Sequence, residues 1–103
     1  MPRHIEILAD HGTIVFRPFP DGHVGQPLGV VLNDSVHWTN RTHLTITLES
    51  LDPPGIPLSE PIPPDGGGSR PDFIVTADKI TSAKTITYRA KTVPSKWHII
   101  VVS

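Results

Sequence analysis

Cysteine is absent from the 103 residues. Thiolate nucleophiles, cysteine-based zinc sites, iron–sulfur clusters and disulfides are therefore excluded, and the redox compartment is left open. Charge of either sign is modest and nearly balanced, with 9 Lys and Arg against 10 Asp and Glu and no dense block of either. Such a distribution carries no nucleic-acid or anionic-membrane footprint, so neither a nucleic acid nor a membrane is expected as a partner. No apolar run approaches the roughly 20 residues of a membrane span, and Met1 to Glu6 lacks the apolar core of a secretory signal. As it stands the chain reads as cytoplasmic, or as periplasmic or secreted if a leader has been removed. Catalytic signatures are missing too: there is no Gly-rich phosphate loop, no Gly-x-Ser-x-Gly and no His-Glu-x-x-His. Asp34, Asp52, Asp65, Asp72 and Asp78 all fall in predicted turns, where Asp is expected for backbone reasons. The expectation is a single domain that is not an enzyme.

What is present is a series of short alternating runs. His4 to Leu8 and Thr13 to Phe19 read as strands separated by Asp10, His11 and Gly12, and Pro18 places the end of the second at a sheet edge or a bend. Leu28 to Leu32 is apolar on both faces and suits a buried strand. The central segment follows, Asp34 to Glu49, in which Val36 and Trp38 alternate with His37 and Thr39. After a polar break at Asn40 to Thr42, Leu44, Ile46 and Leu48 line one face of a further strand. Phe73 to Ala77, Lys84 to Ala90 (with Ile86, Tyr88 and Ala90 inward) and Trp97 to Val102 complete the set, with a short helical turn around residues 78–83.

Residues 52–72 differ in kind, because they hold 7 of the 12 prolines and 4 of the 8 glycines. No regular helix or central strand survives that composition, so a long surface excursion is expected, with Gly66 to Gly68 at its tip. Pro54 to Pro57 and Pro61 to Pro64 have the spacing used by proline-binding grooves. Such spacings arise freely in proline-rich loops and no basic residue flanks these, which favours the plainer reading. No segment sustains a helical period. The predicted fold is an all-β Greek-key sandwich of about seven or eight strands.

The order of features resembles a cupredoxin, the blue-copper sandwich. An apolar strand leads into Asn33-Asp-Ser-Val-His-Trp-Thr-Asn40, then His43 and a strand of Leu and Ile alternating with Thr. Later come Ile80-Thr-Ser-Ala-Lys-Thr-Ile-Thr-Tyr88-Arg-Ala90, a loop and a Val-rich terminal strand. The resemblance implies one copper-binding His at His43, with a Cys, a second His and a weak axial Met before the last strand. It also implies an Asn near Asn40 that ties the ligand loops together. Here the Cys position is Ala90, the second His falls at Val93, and no Met follows residue 1. Blue copper depends on the Cys thiolate, so an electron-transfer site of that type is not expected.

Two functions of different class follow. The first is a copper-free cupredoxin-like module that binds an unknown protein partner or self-associates, using the rim loops and the proline loop. The second is a histidine-based, non-blue copper(II) or zinc site built on His43, with His98 as its partner. If Trp97, Ile99 and Val101 face the core, His98 points outward, which weakens that pairing. The plain alternative for His43 is a rim residue whose ring is packed and hydrogen-bonded by nearby backbone. Asn33-Asp34-Ser35 and Asn40-Arg41-Thr42 match the glycosylation acceptor pattern and are read as chance.

Overall fold

The computed structural model describes residues 2–19, 22–66, 71–91 and 93–102. Among these residues there are eight strands: β1 (Pro2–Asp10), β2 (Thr13–Phe19), β3 (Leu28–Val30), β4 (Ser35–Asn40), β5 (Leu48–Asp52), β6 (Phe73–Ile74), β7 (Thr85–Ala90) and β8 (Trp97–Val101). The one helical element among the described residues is a 3₁₀ turn at Ala77–Lys79, which overlaps the start of the expected turn at residues 78–83 but takes in Ala77, so that the strand expected over Phe73 to Ala77 is β6, Phe73–Ile74. None of the helices in the described residues is long and apolar enough to cross a membrane. The strands form two four-stranded sheets, ordered β2-β1-β4-β6 and β3-β8-β7-β5. Each sheet mixes parallel and antiparallel neighbours: β1 with β4 and β3 with β8 are the parallel pairs. From β2 to β7, successive strands alternate between the two sheets.

Period-2 alternation explains why these segments are strands. In β7, Ile86, Tyr88 and Ala90 are buried while Thr85, Thr87 and Arg89 are half-exposed. β4 behaves alike, burying Val36, Trp38 and Asn40. The two inner faces meet in one core that includes Ile5, Ile7 and Phe16 from the first sheet and Leu28, Ile86 and Ile99 from the second. An aromatic group joins the sheets: Tyr88 lies edge-on to Phe16 at 5.4 Å and to Trp38 at 5.6 Å between ring centres, and Trp97 packs on Phe16 at 5.3 Å. Edge-to-face contacts of this kind add to what area burial alone provides. The Trp38 Nε1–H donates to the Tyr88 hydroxyl at 3.3 Å, and complete burial pushes the Tyr88 phenol above its ordinary range. Pro18 lies in β2, an edge strand, where a missing N–H leaves no gap in a central ladder.

Three further expectations change. The apolar run Leu28 to Leu32 is a strand only to Val30, at a sheet edge, and Val31 and Leu32 are 43% and 41% exposed. The cause is a tight turn: Asp34 N–H donates to the Val31 carbonyl at 3.1 Å, and the Asp34 carboxylate accepts the Val31 N–H at 3.0 Å. That second bond is the main reason the Asp34 carboxyl sits below its ordinary value. The run at Leu44, Ile46 and Leu48 does not form one strand face either. Leu44 is 61% exposed, Ile46 makes an isolated bridge with Ile62, and β5 begins at Leu48, by which point the chain has crossed to the second sheet. Finally, the proline-rich segment is irregular, as its composition requires, but its described part is docked. Leu58 and Ile62 belong to the core, and Ile46 and Ile62 exchange backbone hydrogen bonds of 3.0 and 2.8 Å. Gly67 and Gly68 of the expected tip lie outside the described residues.

On the outer face of the first sheet, Glu6 is 7% exposed and held by two guanidinium groups. Arg17 reaches Oε1 through Nε and Nη2 at 2.8 and 2.7 Å, and Arg41 Nε reaches Oε2 at 3.2 Å. Glu6→Gln removes the charge that both arginines share while keeping the shape. Because Arg41 is half in solvent, the expected loss is about 1–2 kcal/mol, read as a shift in the urea midpoint at unchanged slope.

Candidate functional site

The rim beyond β4 is organised by Asn40, whose side chain is fully buried. Its amide nitrogen donates to three carbonyls: Leu44 at 2.7 Å, Ile62 at 3.0 Å and Pro63 at 3.1 Å. Its Oδ1 accepts the Thr42 N–H at 2.9 Å and the Thr42 hydroxyl at 2.6 Å. Thr42 is itself buried and its hydroxyl also accepts the Leu44 N–H at 3.2 Å. The turn at residues 41–44 is thus wound around one amide group, which stops β4 and redirects the chain. Asn is suited to this because it alone among short side chains offers both a two-hydrogen donor and an acceptor.

The same group ties in the proline segment. Beyond the bonds to Ile62 and Pro63, the Gly66 N–H donates to the Asn40 carbonyl at 2.7 Å and the Asp65 N–H to that of Thr42 at 3.2 Å. The turn and the segment from Ile62 to Gly66 therefore form one surface. In the cupredoxin resemblance an Asn near this point joins the ligand loops. Here the hydrogen bonds of the Asn40 side chain run to the 41–44 turn and the proline segment.

His43 projects from this turn with its side chain 94% exposed, and its Nδ1 lies 3.5 Å from the Asp65 carboxylate, itself 78% exposed. The ring is not packed against the loops, contrary to the plain expectation, because the hydrogen bonding at Thr42 and Leu44 is done by backbone and by Asn40. A polar contact so open to water contributes little. His98 lies on the outward face of β8, as strand parity predicts, where its Nδ1 is 3.1 Å from the Thr87 hydroxyl. No group of three His, Asp or Glu residues that could hold a metal occurs among the described residues.

Where the blue-copper resemblance puts the Cys and second His, the chain is apolar inside as well as in sequence. Ala90 is part of the core and Val93 packs against it. The Ala90 carbonyl accepts the Val93 N–H at 3.0 Å, closing a tight turn after β7. Neither residue offers a donor for a metal.

Sequence reading passed over two features. One is the docking of Ile62 by Asn40, whose only sequence signal is an apolar residue set between prolines. The other is a row on the outer face of the first sheet: His4 and His37, which by their strand positions read as scattered surface histidines, are register neighbours across β1 and β4, and His37 Nδ1 is 2.9 Å from Asp72. Finding that row required knowing that β1 and β4 run side by side and parallel. The chain matches no family model, no curated protein and no solved structure.

Proposed function

We propose that the protein is a copper-free, cupredoxin-like Greek-key module that works by binding another macromolecule or a second copy of itself through the rim formed by residues 41–44 and 62–66. The observation that carries this reading is Leu44, an apolar side chain 61% exposed on a turn that Asn40 and Thr42 hold by five hydrogen bonds to its backbone and to the facing segment. A fixed turn loses little conformational entropy on binding, and an exposed Leu on it supplies apolar area to bury. His43 and Asp65 stand beside it and supply a polar border. The family likeness is supported by the order of strands around Trp38, Asn40, His43 and Tyr88, and by the alternation of successive strands between two mixed sheets. The replacement of ligand positions by Ala90 and Val93 supports a role without copper of the blue type.

The test pairs the parent protein with Leu44→Asp, a change on an exposed side chain that leaves the core untouched. Sedimentation velocity over a wide concentration range is expected to show association, or affinity capture from the native host to retain a partner, and the substitution is expected to remove whichever is seen. A parent that stays monomeric at every concentration and retains no partner contradicts the proposal. So does association that Leu44→Asp leaves unchanged.

A further inference from the structure

The outer face of the first sheet carries a second set of histidines, remote in sequence from the rim. β1 and β4 run parallel with His4 directly opposite His37. Since Ile5 and Ile7 of β1 and Val36 and Trp38 of β4 turn into the core, His4 and His37 share the opposite face. Their ring centres are 6.1 Å apart with planes at 70°. Beyond them, Asp72 immediately precedes β6, which pairs with β4, and its carboxylate lies 2.9 Å from His37 Nδ1. An ionised carboxylate only accepts, so His37 Nδ1 carries a proton in this contact, and in the neutral ring the lone pair is then on Nε2. Metal-binding imidazoles are commonly held this way, with the N–H that does not bind the ion given to a carboxylate.

We propose that His4 and His37 form a site for one divalent transition-metal ion, Cu(II) foremost and Zn(II) less tightly, with Asp72 as the positioning residue for His37. The distances allow it. A metal–imidazole bond of about 2.0–2.1 Å puts each ring centre roughly 3.2 Å from the ion, so two rings sharing one ion stand about 6.4 Å apart when trans to each other and about 5.2 Å apart in a tetrahedral shell. Their separation of 6.1 Å lies close to the trans distance, which suits the tetragonal shell of Cu(II), and His4 is exposed, so its ring has room to turn toward a shared ion. Glu6, next along β1 on the same face, is held by Arg17 and Arg41. Two imidazoles are therefore the protein's ligands and waters complete the shell. The preference for Cu(II) over Zn(II) follows the general affinity order for nitrogen donors. This site is independent of the rim and of whatever Leu44 binds.

Calorimetric titration with Cu(II) at neutral pH, in a buffer that does not bind the ion, tests the assignment on the parent, His4→Gln, His37→Gln, Asp72→Asn and His43→Ala. The expected result is one ion per chain, with affinity reduced at least about tenfold by either His substitution. Asp72→Asn is expected to weaken binding about 10- to 100-fold by releasing His37, and His43→Ala to leave it unchanged. The Cu(II) electron paramagnetic resonance spectrum should show coupling to imidazole nitrogen that each of the two His variants alters. Binding that is absent or only millimolar overturns the proposal, as does full affinity in either His4→Gln or His37→Gln. Loss on His43→Ala equal to the loss on His37→Gln also overturns it. His4 is exposed, so His4→Gln carries the test even if His37→Gln folds poorly.

Discussion

Replacing Asn40 by Asp, a change of one atom in size and shape, is expected to destabilise the protein by about 3–5 kcal/mol, as much as replacing it by Ala. The amide nitrogen of Asn40 faces the carbonyl oxygens of Leu44, Ile62 and Pro63. In Asn40→Asp an acceptor oxygen stands where the donor was, opposite three acceptors, and the carboxylate is buried. Asn40→Ala removes that repulsion but leaves the Pro63 carbonyl and the Thr42 N–H without their partner, each a cost of about 1–3 kcal/mol if no water reaches it, while the Ile62 and Leu44 carbonyls keep the Ile46 N–H and the Thr42 hydroxyl. Equilibrium urea denaturation of both variants checks the prediction. If Asn40→Asp unfolds at the parent's midpoint, the hydrogen bonds around this residue are not those described. Asn40→Asp should also recover part of its loss as pH falls, since a protonated carboxyl regains one donor.

Trp38→Ala is expected to cost about 3–5 kcal/mol, the range for large buried aromatics. Trp38 is 1% exposed and stands where the two sheets meet, edge-on to Tyr88 at 5.6 Å and tilted against Phe73 at 6.3 Å. Its truncation empties the centre of the aromatic group, and the strands around it, fixed by their ladders, collapse onto the space only in part. It also removes the N–H that reaches the Tyr88 hydroxyl. Tyr88→Phe, which removes only that hydroxyl, should cost far less, about 1 kcal/mol. Thermal or urea unfolding of the two variants separates packing from hydrogen bonding. A loss below about 1 kcal/mol for Trp38→Ala would mean that the residue does not face the core.

Much of this was legible in the residues themselves. Alternation marked β4, β7 and β8, put Trp38, Ile86, Tyr88 and Ile99 inside and turned His98 out, because side chains in a strand must alternate whatever the strand pairs with. Pro18 marked an edge or a bend for an equally local reason, its missing N–H, and β2 is an edge strand. Legibility failed where a residue's environment is set by distant chain. Val31 and Leu32 are apolar and exposed because the Asp34 turn ends β3 early. Leu44 keeps the period of Ile46 and Leu48, yet it points to solvent, since Asn40 captures its carbonyl and the chain is changing sheets. The proline segment was readable as irregular but not as docked. Proline content decides which ladders are impossible, whereas the burial of Leu58 and Ile62 depends on Ile46 and Asn40 far along the chain. The His4 and His37 pair was hidden in the same way by a parallel register between strands some thirty residues apart.

A rim able to bind through Leu44 must be ordered before its partner arrives. Amide hydrogen exchange on the unbound protein reads this directly at Leu44, Ile62 and Gly66, whose N–H groups are held by Thr42, Ile46 and Asn40. Strong protection at all three is predicted, with loss of that protection in Asn40→Ala while the β7 amides stay slow. Exchange at Ile62 and Gly66 as fast as in an open chain would contradict a preassembled rim, and with it the binding surface proposed here.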